Sequence, residues 1–135
     1  MKQKRMKCPY CGSAVVRRPA TMVYGEATIN KSTHLYVCSR WPGCDAYVYA
    51  HKNSGLPMGT LANGSLRHKR ILAHRALSDL QKHYGMNRSM SYLWLQVNFD
   101  LTPGQAHIGK FSEEMCERVI SKCRQNIEAV LLNAA

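Results

Sequence analysis

The sequence contains few acidic residues and no long apolar run. Its 135 residues include 19 Lys and Arg but only 8 Asp and Glu, which gives a formal net charge of +11. No apolar stretch approaches the roughly 18 residues of a membrane-spanning helix, so we expect no membrane contact. Three of the few acids, Asp45, Asp79 and Asp100, are scattered, and a carboxylate cage for paired hydrolytic metal ions is not visible in the sequence.

Motifs of several common enzyme classes are also missing. The sequence has no glycine-rich phosphate loop after a predicted strand and no Ser-His-Asp signature. It has no internal repeat and no low-complexity segment, which excludes solenoid architectures and biased linkers. Because 45% of the residues are hydrophobic, we expect a packed core and not a disordered chain. We therefore expect a folded protein that is not an enzyme.

What the sequence does contain is two close pairs of cysteines. Cys8 and Cys11 form a Cys-x-x-Cys motif, and Cys38 and Cys44 follow after 26 intervening residues. Four thiolates are the ligand set of a closed, tetrahedral structural zinc site. The Pro42-Gly43 dipeptide lets the second segment turn so that backbone N–H groups can point at the sulfurs. We predict that these four cysteines bind one structural Zn²⁺.

Two other interpretations of the cysteines remain open. Cys-Pro-Tyr-Cys is also the redox pair of glutaredoxins, where it follows an apolar strand and begins a helix. Here a basic run precedes the pair and a short predicted strand follows it, which argues against that chemistry. The other alternative is a pair of disulfides. Met1 is followed directly by a basic tail, and no signal peptide precedes the cysteines. We therefore expect a reducing cytoplasm, which favours a zinc site over disulfides.

The pattern predicts an α+β chain in which an N-terminal zinc ribbon with a small antiparallel sheet precedes a three-helix module. We assign residues 1–52 to a basic arm and the ribbon, 53–65 to an irregular connector, and 66–135 to the helices. Short strands bury little apolar area, so the metal is expected to supply much of the folding free energy. The segments predicted as strands are Ala14–Arg17, Thr21–Tyr24, His34–Cys38 and Ala46–Ala50.

Helical periodicity fills the C-terminal half. The expected helices run from Leu66 to about Tyr84, from Arg88 to about Asn98, and from after Ser112 to about Leu132. The first carries an apolar stripe of Leu66, Ala73, Leu77, Leu80 and Tyr84. In the second helix, the side chains expected to face the core are those of Met90, Leu93, Trp94 and Val97. Cys116 and Cys123 share a face of the last helix, and we interpret them as small buried apolar groups.

The basic residues are concentrated in residues 1–18 and 67–75, which contain no acid. This charge predicts a polyanionic partner, most simply nucleic acid bound without catalysis. Aromatic residues in the ribbon could stack on the exposed bases of single strands or distorted duplex. The predicted nucleic-acid-binding residues are Lys4, Arg5, Lys7, Arg17, Arg18, Arg40, Trp41, Arg67, Arg70, His74 and His107.

The four last-named residues have three alternative interpretations. Arg67, Arg70 and His74 lie on one flank of a predicted helix, and His107 could approach from a loop. The arginines could bind phosphate, or the group could fix loops against the helix. A nuclease-like activity would use His74 or His107 as a proton carrier. Catalysis is the least favoured, because a four-thiolate zinc has no open position for water.

The first 45 residues resemble the zinc ribbons at the C-terminus of bacterial type I topoisomerases. The resemblance rests on the Cys-Pro-x-Cys-Gly motif at Cys8–Gly12 and the Val-Cys-Ser-x-x-Pro-x-Cys motif at Val37–Cys44. The distance between the two pairs is longer here. Those ribbons contact single-stranded DNA, and the resemblance implies the same class of partner.

A broader resemblance covers nearly the whole chain. The order of motifs from Cys8-Pro-Tyr-Cys-Gly-Ser through Pro57-x-Gly59-Thr60-Leu61-Ala62-Asn63 to His107-Ile108-Gly109 is similar to the zinc-finger-containing domain family. Its members are small proteins of bacteria, prophages and phages. The resemblance implies a zinc module, a phage-type origin and the cytoplasm of a bacterial host, but no activity. A phage-type protein could instead dock on a host machine such as RNA polymerase or a defence complex, which is the alternative function.

Overall fold

The structure is a computed structural model that describes residues 6–25 and 32–134. The chain divides into two compact units, Met1–Gly64 and Ser65–Ala135. The described residues contain four helices, of which one is a single turn in the first unit, and the α+β fold class is confirmed. No helix in this described part is long and apolar enough to cross a membrane. The finer division at residues 52 and 65 stays a prediction.

The first unit is built on a three-stranded antiparallel sheet in the order β1 (Val15–Pro19), β2 (His34–Cys38) and β3 (Tyr47–Tyr49). The central strand β2 has side chains on both faces, because neighbours along a strand point in opposite directions. Its bounds are those predicted from the sequence, and β3 lies inside the predicted Ala46–Ala50. The sheet therefore positions residues on two distinct faces.

Thr21–Tyr24 forms a single helical turn, α1, so the predicted strand at this position is wrong. β1 ends at Pro19, which has no N–H to donate to a further ladder bond. The N–H of Tyr24 donates to the carbonyl of Ala20 at 3.0 Å, and the buried Ala20 anchors the turn against the sheet. Packing thus overrides the strand propensity of a β-branched segment.

Both faces of the sheet are covered by small apolar clusters. One cluster contains the buried residues Ala20, Leu35, Val37 and Tyr47. The other contains Cys8, Cys38, Ala46 and Leu61. Leu61 comes from the segment predicted as an irregular connector. The adjacent Ala62 exchanges two backbone hydrogen bonds with Tyr47, at 3.0 and 3.1 Å, so this segment belongs to the core of the first unit.

The helices of the second unit are α2 (Gly64–Tyr84), α3 (Arg88–Phe99) and α4 (Glu113–Ala134), with a 3-10 turn at Ile108–Lys110. The Nζ atom of Lys69 lies 2.8 Å from the Glu117 carboxylate. The hydroxyl of Tyr84 donates to the carbonyl of Asn126 at 3.1 Å. These two contacts show that α2 and α4 run parallel, and α3 returns the chain between them.

The predicted stripe on α2 is confirmed for Leu66, Ala73, Leu77 and Leu80, which are buried. The prediction for its last member, Tyr84, is wrong, because this side chain is 45% exposed at the end of the helix. The core of the second unit is completed by Leu95, Ile108, Phe111, Cys116, Val119 and Cys123. The two cysteines are fully buried, as predicted, and burial raises the pKa of Cys123 to about 12. They are neutral apolar core groups at physiological pH.

α3 presents a different face to the core from the one predicted. Ser91 and Leu95 are buried, whereas Leu93 and Val97 are 57% and 74% exposed. The amide of Gln81 donates to the Ser91 hydroxyl at 2.8 Å, which in turn donates to the carbonyl of Arg88. This satisfied polar contact replaces an apolar one, so a pattern of hydrophobic residues alone could not locate the buried face.

Leucines two positions apart on α3 should respond very differently to truncation. We expect Leu95→Ala to lower the free energy of unfolding of the second unit by about 2–5 kcal/mol, because it opens a cavity in the core. We expect Leu93→Ala to change it by less than about 0.5 kcal/mol, because the side chain faces solvent. Urea unfolding of the two variants measures the difference. Equal losses would show that the orientation of α3 is wrong.

Candidate metal centre and basic surface

The sulfur atoms of Cys8, Cys11, Cys38 and Cys44 all lie within 4.8 Å of one another. The Sγ atoms of Cys8 and Cys44 are 3.6 Å apart, and those of Cys11 and Cys38 are 3.4 Å apart. A tetrahedron of sulfurs at about 2.3 Å from zinc has edges of about 3.8 Å. All four are free thiols, and a disulfide would need a separation of about 2.05 Å. The cluster therefore has the size of a four-thiolate metal site.

Two tight turns bring the sulfurs together. In the first, the N–H of Gly12 donates to the carbonyl of Cys8 at 2.9 Å, and Gly12 adopts a φ of +75° that favours glycine. In the second, the N–H of Cys44 donates to the carbonyl of Arg40 at 3.2 Å. A Cβ atom at Gly43 would lie 3.3 Å from that same carbonyl oxygen, so the turn has little room for a side chain there.

Backbone N–H groups point at the sulfurs, as the glycine-containing turns predict. The N–H of Arg40 donates to Sγ of Cys38 at 3.5 Å. The N–H groups of Ser13 and Ala46 hydrogen-bond the sulfurs of Cys11 and Cys44. Each donor lies two residues after its cysteine. This regular spacing was not part of the prediction. These bonds favour the thiolate form that a metal requires.

The four thiols differ in environment. Hydrogen bonds from the side chain and backbone of Ser13 lower the pKa of the exposed Cys11 to about 6. Burial raises the pKa of Cys38 to about 12. A buried thiol of this kind ionises at neutral pH only beside a cation, and a coordinated metal ion deprotonates it outright. The donor set of soft thiolates thus fits a metal such as zinc.

The predicted nucleic-acid-binding residues of the first unit lie on its surface where they are described. Lys7, Arg17, Arg18 and Arg40 are exposed and Trp41 is half-buried, whereas Lys4 and Arg5 lie outside the described residues. Arg17 and Arg18 point to opposite faces of β1, since Arg17 pairs with Tyr36 and Arg18 with Leu35. The guanidinium of Arg17 lies against Gly55.

The predicted nucleic-acid-binding residues of the second unit occupy both buried and exposed positions. Arg70 is 8% exposed, and its Nε atom donates to the carbonyl of Phe111 at 3.1 Å. Arg67 is half-buried, and His74 and His107 are exposed. Partial desolvation nevertheless lowers the pKa of His74, so its ring is neutral at pH 7. This arrangement favours the structural interpretation for Arg70 and leaves His74 without a charge to offer a phosphate.

The chain was compared with known protein families, curated proteins and solved structures. A family model described as a zinc-finger-containing domain matches residues 4–126. The matched range includes all four clustered cysteines and reaches through most of the helical unit, so the family pattern is not limited to the ribbon. No curated protein and no solved structure matches the chain.

Proposed function

The chain belongs to the zinc-finger-containing domain family, and on that premise we propose that it is a zinc-binding module that binds nucleic acid without catalysing a reaction. One structural Zn²⁺ would be held by Cys8, Cys11, Cys38 and Cys44. The observation that carries the zinc proposal is the cluster of four sulfurs within 4.8 Å of one another. Zinc supplies a fixed tetrahedral cross-link there, and four thiolates leave no position for a reactive water.

Charge supports the nucleic-acid part of the proposal. Residues 1–64 contain nine Lys and Arg against two acids, Glu26 and Asp45, and four thiolates on one Zn²⁺ add −2, so the net charge is +5. The carboxylate of Asp45 accepts a hydrogen bond from the N–H of Gly64 at 3.0 Å. Exposed arginines on a unit of this charge attract phosphates, and nucleic acid carries a regular row of them.

A matched pair of arginine variants tests where the contact lies. We expect Arg18→Ala to weaken binding to a short DNA single strand whatever its sequence, because a phosphate contact is lost. We expect Arg124→Ala to leave binding unchanged, because Glu117 and Glu128 lie in the same cleft and offset its charge. Fluorescence anisotropy of a labelled strand measures both. Equal weakening by the two variants would show that the contact is not confined to the ribbon.

A second candidate function is docking on a host protein by a phage-type factor in the bacterial cytoplasm. It is favoured by the exposed side chains of Met90, Leu93 and Val97 on α3, which recur at helical spacing. A pull-down from nuclease-treated bacterial lysate compares the wild type with Leu93→Glu. A stoichiometric protein that only the wild type retains would support this function, and identical eluates would exclude this face.

A further inference from the structure

Three tyrosines meet on one face of the sheet in the first unit. Tyr47 is buried, whereas Tyr24 and Tyr49 are 37% and 40% exposed. The Tyr47 ring stands nearly perpendicular to the other two, with centroids 6.0 and 6.3 Å away. The hydroxyl of Tyr49 donates to that of Tyr24 at 3.1 Å, and the hydroxyls of Tyr24 and Tyr47 share a further hydrogen bond. Ring packing and hydrogen bonds together fix the three side chains in one arrangement.

The two exposed rings are nearly parallel to each other. Their planes differ by 10°, and their centroids are 6.4 Å apart. Their hydroxyl oxygens are only 3.1 Å apart, so the rings converge at their hydroxyl ends. Because the two ring planes are nearly parallel, the perpendicular distance between them is no larger than roughly the distance between the hydroxyl oxygens. Tyr24 and Tyr49 therefore lie side by side and do not cover each other's faces.

The rings of Tyr24 and Tyr49 are held in place by the residues packed against them. Desolvation raises the pKa of Tyr24, so its phenol stays neutral and does not repel phosphates. Trp41 packs against the Tyr47 ring with centroids 5.9 Å apart and braces the buried member of the cluster. Rings that folding already holds in place lose little further entropy when a ligand binds them. The pair is thus a preorganised surface and not two mobile side chains.

A cation lies on the same face of the sheet. Arg18 of β1 pairs with Leu35 of β2, which pairs with Tyr49 of β3, and directly paired residues share a face. Arg18 and Tyr49 are therefore two strand spacings apart, about 10 Å. The Arg18 guanidinium donates to the carbonyl of Arg17 at 2.9 Å, which leaves the remainder of its donors for an anion.

We infer that Tyr24 and Tyr49 form a stacking platform for an unpaired base, with Arg18 contacting the phosphates beside it. This inference rests on the proposed function and makes it more specific: the ligand class is single-stranded nucleic acid. A base in a duplex has both faces covered by its neighbours, whereas an unpaired base can lie on an aromatic ring. Such stacking tolerates any base, because every base has a π-face.

The test separates base stacking from phosphate binding. The probes are a labelled oligothymidine strand and an abasic strand with the same phosphates but no bases. The variants are Tyr49→Leu, which removes the ring, Tyr49→Phe, which keeps the ring without the hydroxyl, and Tyr84→Leu on α2. Tyr84 is a matched control, since it is 45% exposed and its hydroxyl is also hydrogen-bonded. Zinc content confirms that the first unit of each variant is folded, and far-UV circular dichroism confirms the helices of the second unit.

We expect Tyr49→Leu to weaken binding to oligothymidine by about 5- to 150-fold, since one base stack contributes roughly 1–3 kcal/mol. Tyr49→Phe should recover most of that loss, and Tyr84→Leu should bind as the wild type does. On the abasic strand, the wild type and Tyr49→Leu should have the same weak affinity. Unchanged binding of oligothymidine by Tyr49→Leu, with weakened binding by Arg18→Ala, would overturn the platform but leave the proposed function standing. Absence of wild-type binding to either strand at low salt would overturn the proposed function itself.

Discussion

Chelation of zinc from the reduced protein should unfold the first unit while the helices of the second remain. Among residues 6–25 and 32–64, the first unit buries only a few large side chains, chiefly Leu35, Val37, Tyr47 and Leu61. So small a core does not offset the conformational entropy of some 60 residues. Structural zinc in comparable sites contributes about 10–16 kcal/mol of apparent binding free energy, which becomes folding free energy.

Hydrogen exchange measured residue by residue shows this effect directly. Amides of β2 should lose their protection on chelation, whereas amides in the middle of α2 and α4 should keep theirs. Far-UV circular dichroism should change little, because α1 in the first unit is a single turn. Protection of β2 that survives the chelator would show that the metal is not needed for the fold.

Two buried cysteines provide a matched comparison for the prediction that the first unit needs zinc to fold. Cys38 and Cys116 are both 0% exposed, and the change to Ala removes the same sulfur from each. Cys38→Ala should abolish stoichiometric zinc binding and unfold the first unit. Cys116→Ala should retain zinc and cost about 1 kcal/mol, the price of a small cavity in the second core. Equal zinc content in the two variants would mean that Cys38 is not a ligand.

Binding to single-stranded nucleic acid should fall steeply with salt. The described exposed cations of the first unit that we assign to phosphates are Lys7, Arg17, Arg18 and Arg40. Four contacts on a single strand give a slope of about −3 in a plot of log affinity against log salt. Between about 50 and 200 mM salt this slope is a loss of roughly 50-fold. Anisotropy titrations at several salt concentrations measure it.

The control for the salt experiment is Arg18→Ala, which should make the slope shallower by about 0.7. The slope of Arg124→Ala should match that of the wild type, since this residue is not assigned to a phosphate. An affinity that does not depend on salt would show that the positive charge of the chain has no role in binding.

The sequence predicted the features that depend on local spacing. The two cysteine pairs, the central strand and the three long helices follow from the identity of neighbouring residues and from the helical period, and the structure agrees with them. The apolar stripe of α2 was also predictable, because Leu66, Ala73, Leu77 and Leu80 recur on one face. Short-range patterns of this kind do not require knowledge of which elements meet.

The features that depend on long-range packing could not be predicted. Thr21–Tyr24 has strand-forming residues, and only its contact with the sheet makes it helical. The connector was expected to be irregular, yet Leu61 covers the buried cysteines. The inward face of α3 includes Ser91, whose hydroxyl is satisfied by Gln81 on another helix. The position of Tyr24 beside Tyr49 was missed, because it depends on the helical turn α1.

Native mass spectrometry of freshly prepared, reduced protein tests the central claim most directly. We predict a single mass increment that corresponds to one Zn²⁺ for each chain. The increment should disappear in Cys38→Ala and persist in Cys116→Ala. A folded first unit that carries no metal, or that carries iron in place of zinc, would contradict the claim that a four-thiolate zinc site organises this part of the protein.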